Sequence, residues 1–384
     1  LDFDPDVFIG AVPNITALVK GKLIYDTRDS GTRYSNNPAL VIYDYLTNTD
    51  VGVGEVAGRI DTDSFDTAAN VCDEDVSVVM TRTFTTASAT DLVTISSEAN
   101  GFRTGDSCRV SNSGGALPTG LSVDTDYYWI SISTTTGKIA SSKENALAGN
   151  NINITADGSG THTIKRRRLT TFTGATSDIV TLGASLKDLI TGDGLEVSSD
   201  GTLPTGLSAS TTYYWSRITD TTGYLCTTRL NALVGTVIDI TGTGSGTHTI
   251  ERTVEARYSC NGTVDTQNSP REILTQLLTS LQGSLVYQNG KWTIYAGEYR
   301  TPTITLDEDD MVGPVKVQVK VSRRELFNGV KGVFVSPVDN YQPTDFPAVS
   351  NATYLTEDQN ERLWKDSALQ YAGSPSIAHR IGKV

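Results

Sequence analysis

The sequence has few of the residues that most often carry catalysis or redox chemistry. Its 384 residues include only three histidines and four cysteines. The cysteines (Cys72, Cys108, Cys226 and Cys260) lie far apart without metal-binding spacing, so we interpret them as buried free thiols. No nucleophile elbow, His-Glu-x-x-His motif or phosphate-binding loop occurs. These absences favour a protein that is not an enzyme, and they predict neither a cofactor nor a metal site.

Long apolar runs and excess positive charge are also missing. No stretch approaches the length of a membrane span, and no signal peptide is visible. The chain begins with Leu-Asp-Phe rather than Met, which predicts that it is a piece of a larger polypeptide. Its net charge is −13, and residues 1–80 alone carry 5 basic and 14 acidic side chains. An acidic chain repels phosphate, which argues against a dedicated nucleic-acid binder.

The clearest local signal is the stretch 269–297. Ser269 and Glu272 have the spacing of a capping box, and an apolar stripe at helical spacing follows them. We expect Gly283 to end this helix as a left-handed cap. Asn289-Gly290 then predicts a tight hairpin.

Weaker patterns predict the remaining elements outside the central region. Caps, apolar spacing and period-2 alternation are the signals used. They predict two short strands within 15–25, a helix opened by Asn37 and Pro38, a helix capped by Asp66 and running through Asp73, strands at 315–321 and 328–335, a helix from Thr356 to about Tyr371, and a helix beginning at Ile377.

The central region repeats itself. LPTGLS occurs at 117–122 and 203–208, and GSGTHTI occurs at 158–164 and 244–250. Both motifs recur at an offset of 86, which we expect to hold across the whole region. Period-2 runs and Gly-rich turns predict that each copy is a small all-β module.

These patterns predict a β-rich, multidomain α+β protein. Residues 1–80 and 257–384 are expected to form one split α+β body that is continuous in space. Two duplicated β modules, 81–168 and 169–256, are inserted between its halves. An insertion at an exposed loop is tolerated because the entropy cost of a longer loop grows slowly.

Paired aromatic residues in the modules are the candidate contact sites. Tyr128-Trp129 and Tyr214-Trp215 are equivalent in the two copies. On a strand, successive side chains point to opposite faces. We therefore place Trp129 and Trp215 in the module cores and expect Tyr128 and Tyr214 to be exposed, where they suit sugar stacking or a protein contact. The alternative is an ordinary half-buried sheet face.

Three polar features have a structural interpretation as well as a functional one. His162 and His248 share a strand face with isoleucine, so we interpret them as packed structural histidines. The acidic clusters 2–6 and 307–310 are interpreted as solvated turns rather than calcium sites. The basic run 165–168 is interpreted as a solvated linker, with contact to an acidic surface as the alternative.

Several motifs, in order, resemble the tail tip attachment proteins (host-specificity or central tail proteins) of long-tailed phages. Together they span about 208 residues of the two outer segments, and the duplicated insert is not part of the pattern. The insert resembles small β modules that decorate phage structural proteins. The matching stretches are 13–22 (PNITALVKGK), 25–28 (YDTR), 37–39 (NPA), 44–46 (DYL), 68–74 (AANVCDE), 257–262 (RYSCNG), the helix and hairpin at 269–297, 328–334 (NGVKGVF) and 380–382 (RIG).

The resemblance implies a trimeric baseplate hub in the virion, located at the phage tail tip. Such hubs contain barrel-like β domains and close the tail tube. The implied partners are two further copies of the chain, other tail tip and tail tube proteins, a host cell-surface receptor, and DNA only in transit through the channel. An acidic channel lining would let DNA slide through without binding, because basic side chains bind phosphate.

Two other classes of function remain alternatives. A bacterial surface adhesin or carbohydrate-binding protein fits the Thr-rich repeats. A polysaccharide-degrading tail enzyme would need two carboxylates about 5–10 Å apart in a cleft.

Overall fold

The chain folds into a β-rich body and two closed barrels of six strands each. The structure is a computed structural model, and it describes residues 19–78, 81–95, 102–302, 304–310, 313, 322 and 325–383. The predicted strand at 315–321, most of the first predicted strand and the acidic cluster 2–6 lie outside these described residues.

The first segment of the body contains a hairpin, two helices and a short strand. The side chain of Asn37 accepts from the Ala39 N–H at 3.1 Å and caps the first helix, as predicted. The second helix begins earlier than predicted, with Asp61 rather than Asp66 at its N-cap, and this places Phe65 in the core. The elements are β1 (Leu23–Asp26), β2 (Gly31–Tyr34), α1 (Pro38–Thr47), α2 (Thr62–Asp73) and β3 (Asp75–Ser77).

The first barrel is built by the first repeat. Its elements are β4 (Thr81–Ala87), β5 (Leu92–Ile95), β6 (Ser107–Ser113), β7 (Tyr127–Ser131), β8 (Thr136–Ala140), α3 (Lys143–Ala148) and β9 (Thr161–Arg167). The strands follow the order β4-β5-β8-β7-β6-β9 around the barrel, and β9 pairs with β4 to close it.

The second repeat builds the second barrel. Its elements are β10 (Leu169–Gly174), β11 (Val180–Leu182), β12 (Gly194–Ser199), β13 (Thr212–Arg217), β14 (Thr222–Cys226), α4 (Arg229–Val234) and β15 (His248–Ala256). The strand order is the same as in the first barrel, and pairing of β15 with β10 closes it. The far end of β15 also pairs with β3, so the sheet of the second barrel continues into the body.

The predicted constant offset of 86 between the repeats is wrong for their first strands. Phe84 pairs with His162, and Phe172 pairs with His248, so the two phenylalanines are equivalent at an offset of 88. The connecting loops of the two copies therefore differ slightly in length, while the strands occupy equivalent positions in the two barrels.

The second segment of the body adds three α-helices, a hairpin and a small mixed sheet. In that sheet β18 pairs with β19 and β20 antiparallel and with β21 parallel. The elements are α5 (Pro270–Thr279), β16 (Ser284–Gln288), β17 (Lys291–Tyr295), β18 (Gly329–Ser336), β19 (Gln342–Asp345), β20 (Val349–Ser350), α6 (Ala352–Glu357), β21 (Trp364–Leu369) and α7 (Pro375–Ile381).

The capped helix and its hairpin are confirmed, except for the helix end. The capping box of Ser269 and Glu272 is present, and Asn289 and Gly290 have φ of 52° and 77° in the turn. Gly283 is not the left-handed residue; Gln282 is, at φ 47°. A side chain at Gly283 would meet the Tyr295 carbonyl oxygen at 2.3 Å, so glycine is needed there for close approach of two strands.

The predicted long helix from Thr356 to Tyr371 is wrong. α6 ends at Glu357, and Gln359 and Asn360 both have left-handed φ, which ends the helix. The following residues form β21 instead, because parallel pairing with β18 satisfies their backbone and buries Leu369.

Three hydrophobic cores divide the described residues. Side chains from 24–72 and from 258–381 form one shared core in the body. Each barrel has its own core around a tryptophan, and both Trp129 and Trp215 are buried as predicted. In the part of the chain that the structure describes, no helix has the length and apolar character needed to cross a bilayer.

Candidate functional site: a charged junction between the barrels and the body

An equivalent Asp–Arg pair lies at one end of each barrel. Arg166 contacts Asp106 at 2.7 Å in the first barrel, and Arg252 contacts Asp193 at 2.9 Å in the second. The two arginines follow the buried Ile164 and Ile250 by two residues, so strand alternation turns them toward the barrel interior.

The basic run 165–168 is therefore not a solvated linker. Lys165 is exposed, but Arg166 lies 5.9 Å above the ring of Phe102 and pairs with Asp106. Arg167 joins the two barrels, with Nη1 2.5 Å from Asp126 and Nε 3.0 Å from Glu251. The run lies at the end of β9 and the start of β10, where the barrels meet, and paired carboxylates neutralise it there.

Arg252 is the centre of the junction and is only 3% exposed. Besides Asp193, it contacts Glu255 at 2.9 Å and Asp188 at 3.5 Å. Arg168 adds a contact of 3.3 Å to Asp188. A cluster this deeply buried is held by the pairing of its charges, because an unpaired buried charge is costly.

The pKa values of two aspartates in this cluster, Asp188 and Asp193, shift in opposite directions. Burial raises the pKa of Asp193 to about 6, with Arg252 opposing and Glu255 assisting the shift. Burial acts in the same direction on Asp188, but Arg168, Arg252 and Arg166 outweigh it, and the pKa of Asp188 lies below its usual value. Asp193 is therefore the carboxylate whose ionisation at neutral pH is costly.

Glu255 connects the second barrel to the body. It accepts a hydrogen bond from the Ser374 hydroxyl at 2.8 Å, and Arg380 contacts it at 3.2 Å. Ser374 caps α7, and Arg380 lies in the last turn of that helix. Glu255 itself is 1% exposed, so it pairs two arginines from different parts of the molecule out of contact with solvent.

Further ion pairs fix the barrels to the body around this centre. Arg103 of the first barrel donates both terminal nitrogens to Asp339, at 2.8 and 2.7 Å. Hydrogen bonding from Arg103 is the main reason that the pKa of Asp339 lies below its usual range. Arg229 of the second barrel donates to Asp75 on β3.

Tyr128 and Tyr214 are half-buried rather than exposed. The Tyr214 hydroxyl donates to Asp75, and the Arg229 guanidinium lies 5.6 Å from the Tyr214 ring centre. Burial, together with Asp75, raises the pKa of Tyr214 to about 12. Tyr214 thus holds the second barrel on the body, and a receptor or partner contact at Tyr128 and Tyr214 stays a prediction.

The histidines and cysteines have the predicted structural environments. His162 and His248 are buried, and each ring stacks at 5.4 Å on a phenylalanine. In each, Nε2 lies 3.1 Å from a backbone carbonyl oxygen. All four cysteines are buried free thiols, and burial raises the pKa of Cys226 to about 11.

Acidic groups outside the junction do not form a metal site in the described ranges, where no cluster of three or more potential ligands occurs. In the predicted turn 307–310, Asp307, Asp309 and Asp310 are exposed.

Sequence reasoning missed the junction, although the repeat carried a signal for it. Asp106 and Asp193 are equivalent only when the offset is 87 rather than 86, so a fixed offset hides the pair. Glu255 and Arg380 lie 125 residues apart, and no local pattern connects them.

No protein-family model matches the chain, and no curated protein is significantly similar to it in sequence. Function is therefore inferred from the residues and geometry of the chain itself. The junction joins the two barrels and the body through paired charges.

Proposed function

We propose that this chain is a structural component of the tail tip of a long-tailed phage. In this proposal it forms a trimeric hub in the virion that closes the tail tube, supports attachment to a host receptor and lets DNA pass. Its α+β body is the hub-like part, and the two barrels are non-enzymatic modules on the outer surface.

One observation carries the proposal. Stretches that resemble the tail tip proteins are separated in sequence by the insert 81–256, yet they contact one another in the body. The Tyr258 N–H donates to the Cys72 carbonyl at 3.2 Å, and the Arg257 N–H donates to the Glu74 carbonyl at 2.8 Å. These residues belong to the stretches 257–262 and 68–74.

Two further contacts join the resembling stretches, one in each outer segment. Arg28, the last residue of the stretch 25–28, lies 2.8 Å from Asp73. Arg380, from the last stretch, donates to the Arg257 carbonyl. Stretches that resemble one family in order also share contacts and one hydrophobic core, which supports one continuous body.

Ion pairs between the barrels and the body support the attachment part of the proposal. Ion pairs at Asp75, Glu255 and Asp339 fix both barrels against the body. A module held in one orientation can present a contact surface at a defined distance from the hub. Other tail proteins or the host surface are the partners we propose for it.

The mass of the full chain in solution tests the trimer. Light scattering across a range of concentrations should give the mass of three chains at the higher concentrations. A mass of one chain at every concentration would contradict a hub that trimerises by itself.

A further inference from the structure

Two small cavities lie at the junction. The first, of about 30 Å³, is lined by Arg166, Arg168, Arg252 and Asp188, together with Val78, Pro375 and Ser376. The second, of about 10 Å³, shares Arg252 and Asp188 with the first and is also lined by Asp193, Glu255 and Arg229. Three guanidinium groups and one carboxylate therefore line the first cavity.

The first cavity also has an unmatched donor. The Nε atom of Arg166 is fully buried and has no hydrogen-bond partner. Buried polar groups are nearly always hydrogen-bonded, so this donor points to a ligand that accepts from it. Burial, assisted by the neighbouring Arg168, lowers the pKa of Arg166 to about 10, while Asp106 and Asp188 oppose the shift.

We propose that this cavity binds one small monovalent inorganic anion of the chloride class. The anion would accept from the buried Nε of Arg166 and lie among the guanidinium groups of Arg166, Arg168 and Arg252. A cavity needs about 10–15 Å³ to hold one water molecule, so about 30 Å³ admits a single atomic ion. Phosphate and sulfate, with four oxygens around a central atom, are too large.

The anion would join the two barrels and the body at one point. Arg166 comes from the first barrel, Arg252 from the second, and Pro375 from α7 of the body. Binding would therefore stabilise the junction, since a ligand that binds only the folded state raises its stability. This inference does not depend on the trimer.

Bromide is a direct probe for such a site. Crystals of the full chain grown or soaked in sodium bromide should show an anomalous peak between the guanidinium groups of Arg166 and Arg252. An ordered water would give no such peak. Diffraction data with no anomalous peak in this cavity would overturn the proposal.

A melting experiment in solution provides a second test. The melting temperature of the full chain is compared in sodium chloride and in sodium gluconate at equal ionic strength, because gluconate is too large to enter. The chloride-minus-gluconate difference should be about 1–2 °C larger in the wild type than in Arg168→Gln.

The matched control is Arg109→Gln. Arg109 pairs with Asp126 in the first barrel and does not line the cavity. It should keep the wild-type difference, which removes general effects of the two salts. If Arg168→Gln keeps the difference as well, the anion does not bind at this cavity.

Discussion

At the scale of single residues, the junction contains buried charges. Glu255 is the buried carboxylate that pairs with both Arg252 and Arg380. It is buried between Arg252, Arg380 and the Ser374 hydroxyl. Each of these groups would keep fewer partners without the carboxylate. The attachment of the second barrel to the body should therefore depend strongly on this one side chain.

Replacing Glu255 by glutamine should lower the free energy of unfolding by about 3 kcal/mol, because the buried Arg252 and the half-buried Arg380 lose a counter-charge. Glu74→Gln is the control, since Glu74 pairs with Arg257 at the surface and should cost less than about 1 kcal/mol. Denaturant unfolding measures both. Equal, small losses in the two variants would show that the junction does not hold the barrel.

Asp193 should make stability depend on pH. Its pKa in the folded state is raised to about 6, above the usual value near 3.8, so the folded state binds the proton more tightly. Its contribution to stability is therefore present below about pH 4 and is lost as pH rises through 6. Asp193→Asn removes this titration.

Between pH 5 and pH 7.5, the wild type should lose about 1 kcal/mol of stability relative to Asp193→Asn. Asparagine keeps an acceptor for the Ile190 N–H, which Asp193 binds at 2.9 Å. Denaturant unfolding at several pH values measures the difference. A stability gap that stays constant over this range would mean that Asp193 is ionised in the fold without cost.

At the scale of elements, local chemistry decides the hairpin of β16 and β17. Its turn requires left-handed backbone at Asn289 and Gly290, which these residues adopt readily. The same is true of the Ser269 capping box. Elements of this kind were predictable because residues close in sequence fix them.

Gly290→Ala should lower the free energy of unfolding by about 1 kcal/mol, because alanine is strained at φ 77° although space is open around it. Gly21→Ala is the matched control, with open space and no positive φ, and should be near neutral. Thermal or denaturant unfolding compares the two. Should both variants melt alike, backbone conformation at this turn does not limit stability.

Other elements depended on partners far away in sequence, and the pattern alone misled. The apolar residues before Leu369 suit a helix, but parallel pairing with β18 makes them a strand. Arginines 166–168 suit an exposed linker, but they are half-buried and paired with carboxylates from both barrels. The repeat predicted two similar β modules, while closure into barrels follows from strand pairings that only the structure gives.

At the scale of the whole molecule, the two chain connections between the body and the barrels lie side by side. The Val78 N–H donates to the Thr253 carbonyl at 3.0 Å, so the chain leaves and re-enters the body at neighbouring points. Residues 254–256, at the end of β15, connect the second barrel to the body, since they pair with β3 and include Glu255. A clean removal of the insert must therefore stop before Val254.

Replacing 79–252 by a short Gly-Ser turn should leave a folded body that still forms trimers. Deleting 81–256 instead should give a less stable product, because it removes Glu255 and the strand that pairs with β3. Circular dichroism melting and light scattering compare the two deletions. An unfolded product from the shorter deletion would show that the body needs the barrels to fold.

Electron-microscopy class averages of the full chain would show whether it forms a trimeric hub. We expect a particle with threefold symmetry and a central opening, with two small barrels per subunit at fixed positions on the outside. Single-chain particles, or barrels that vary in position relative to the body, would contradict a trimeric hub with rigidly seated modules.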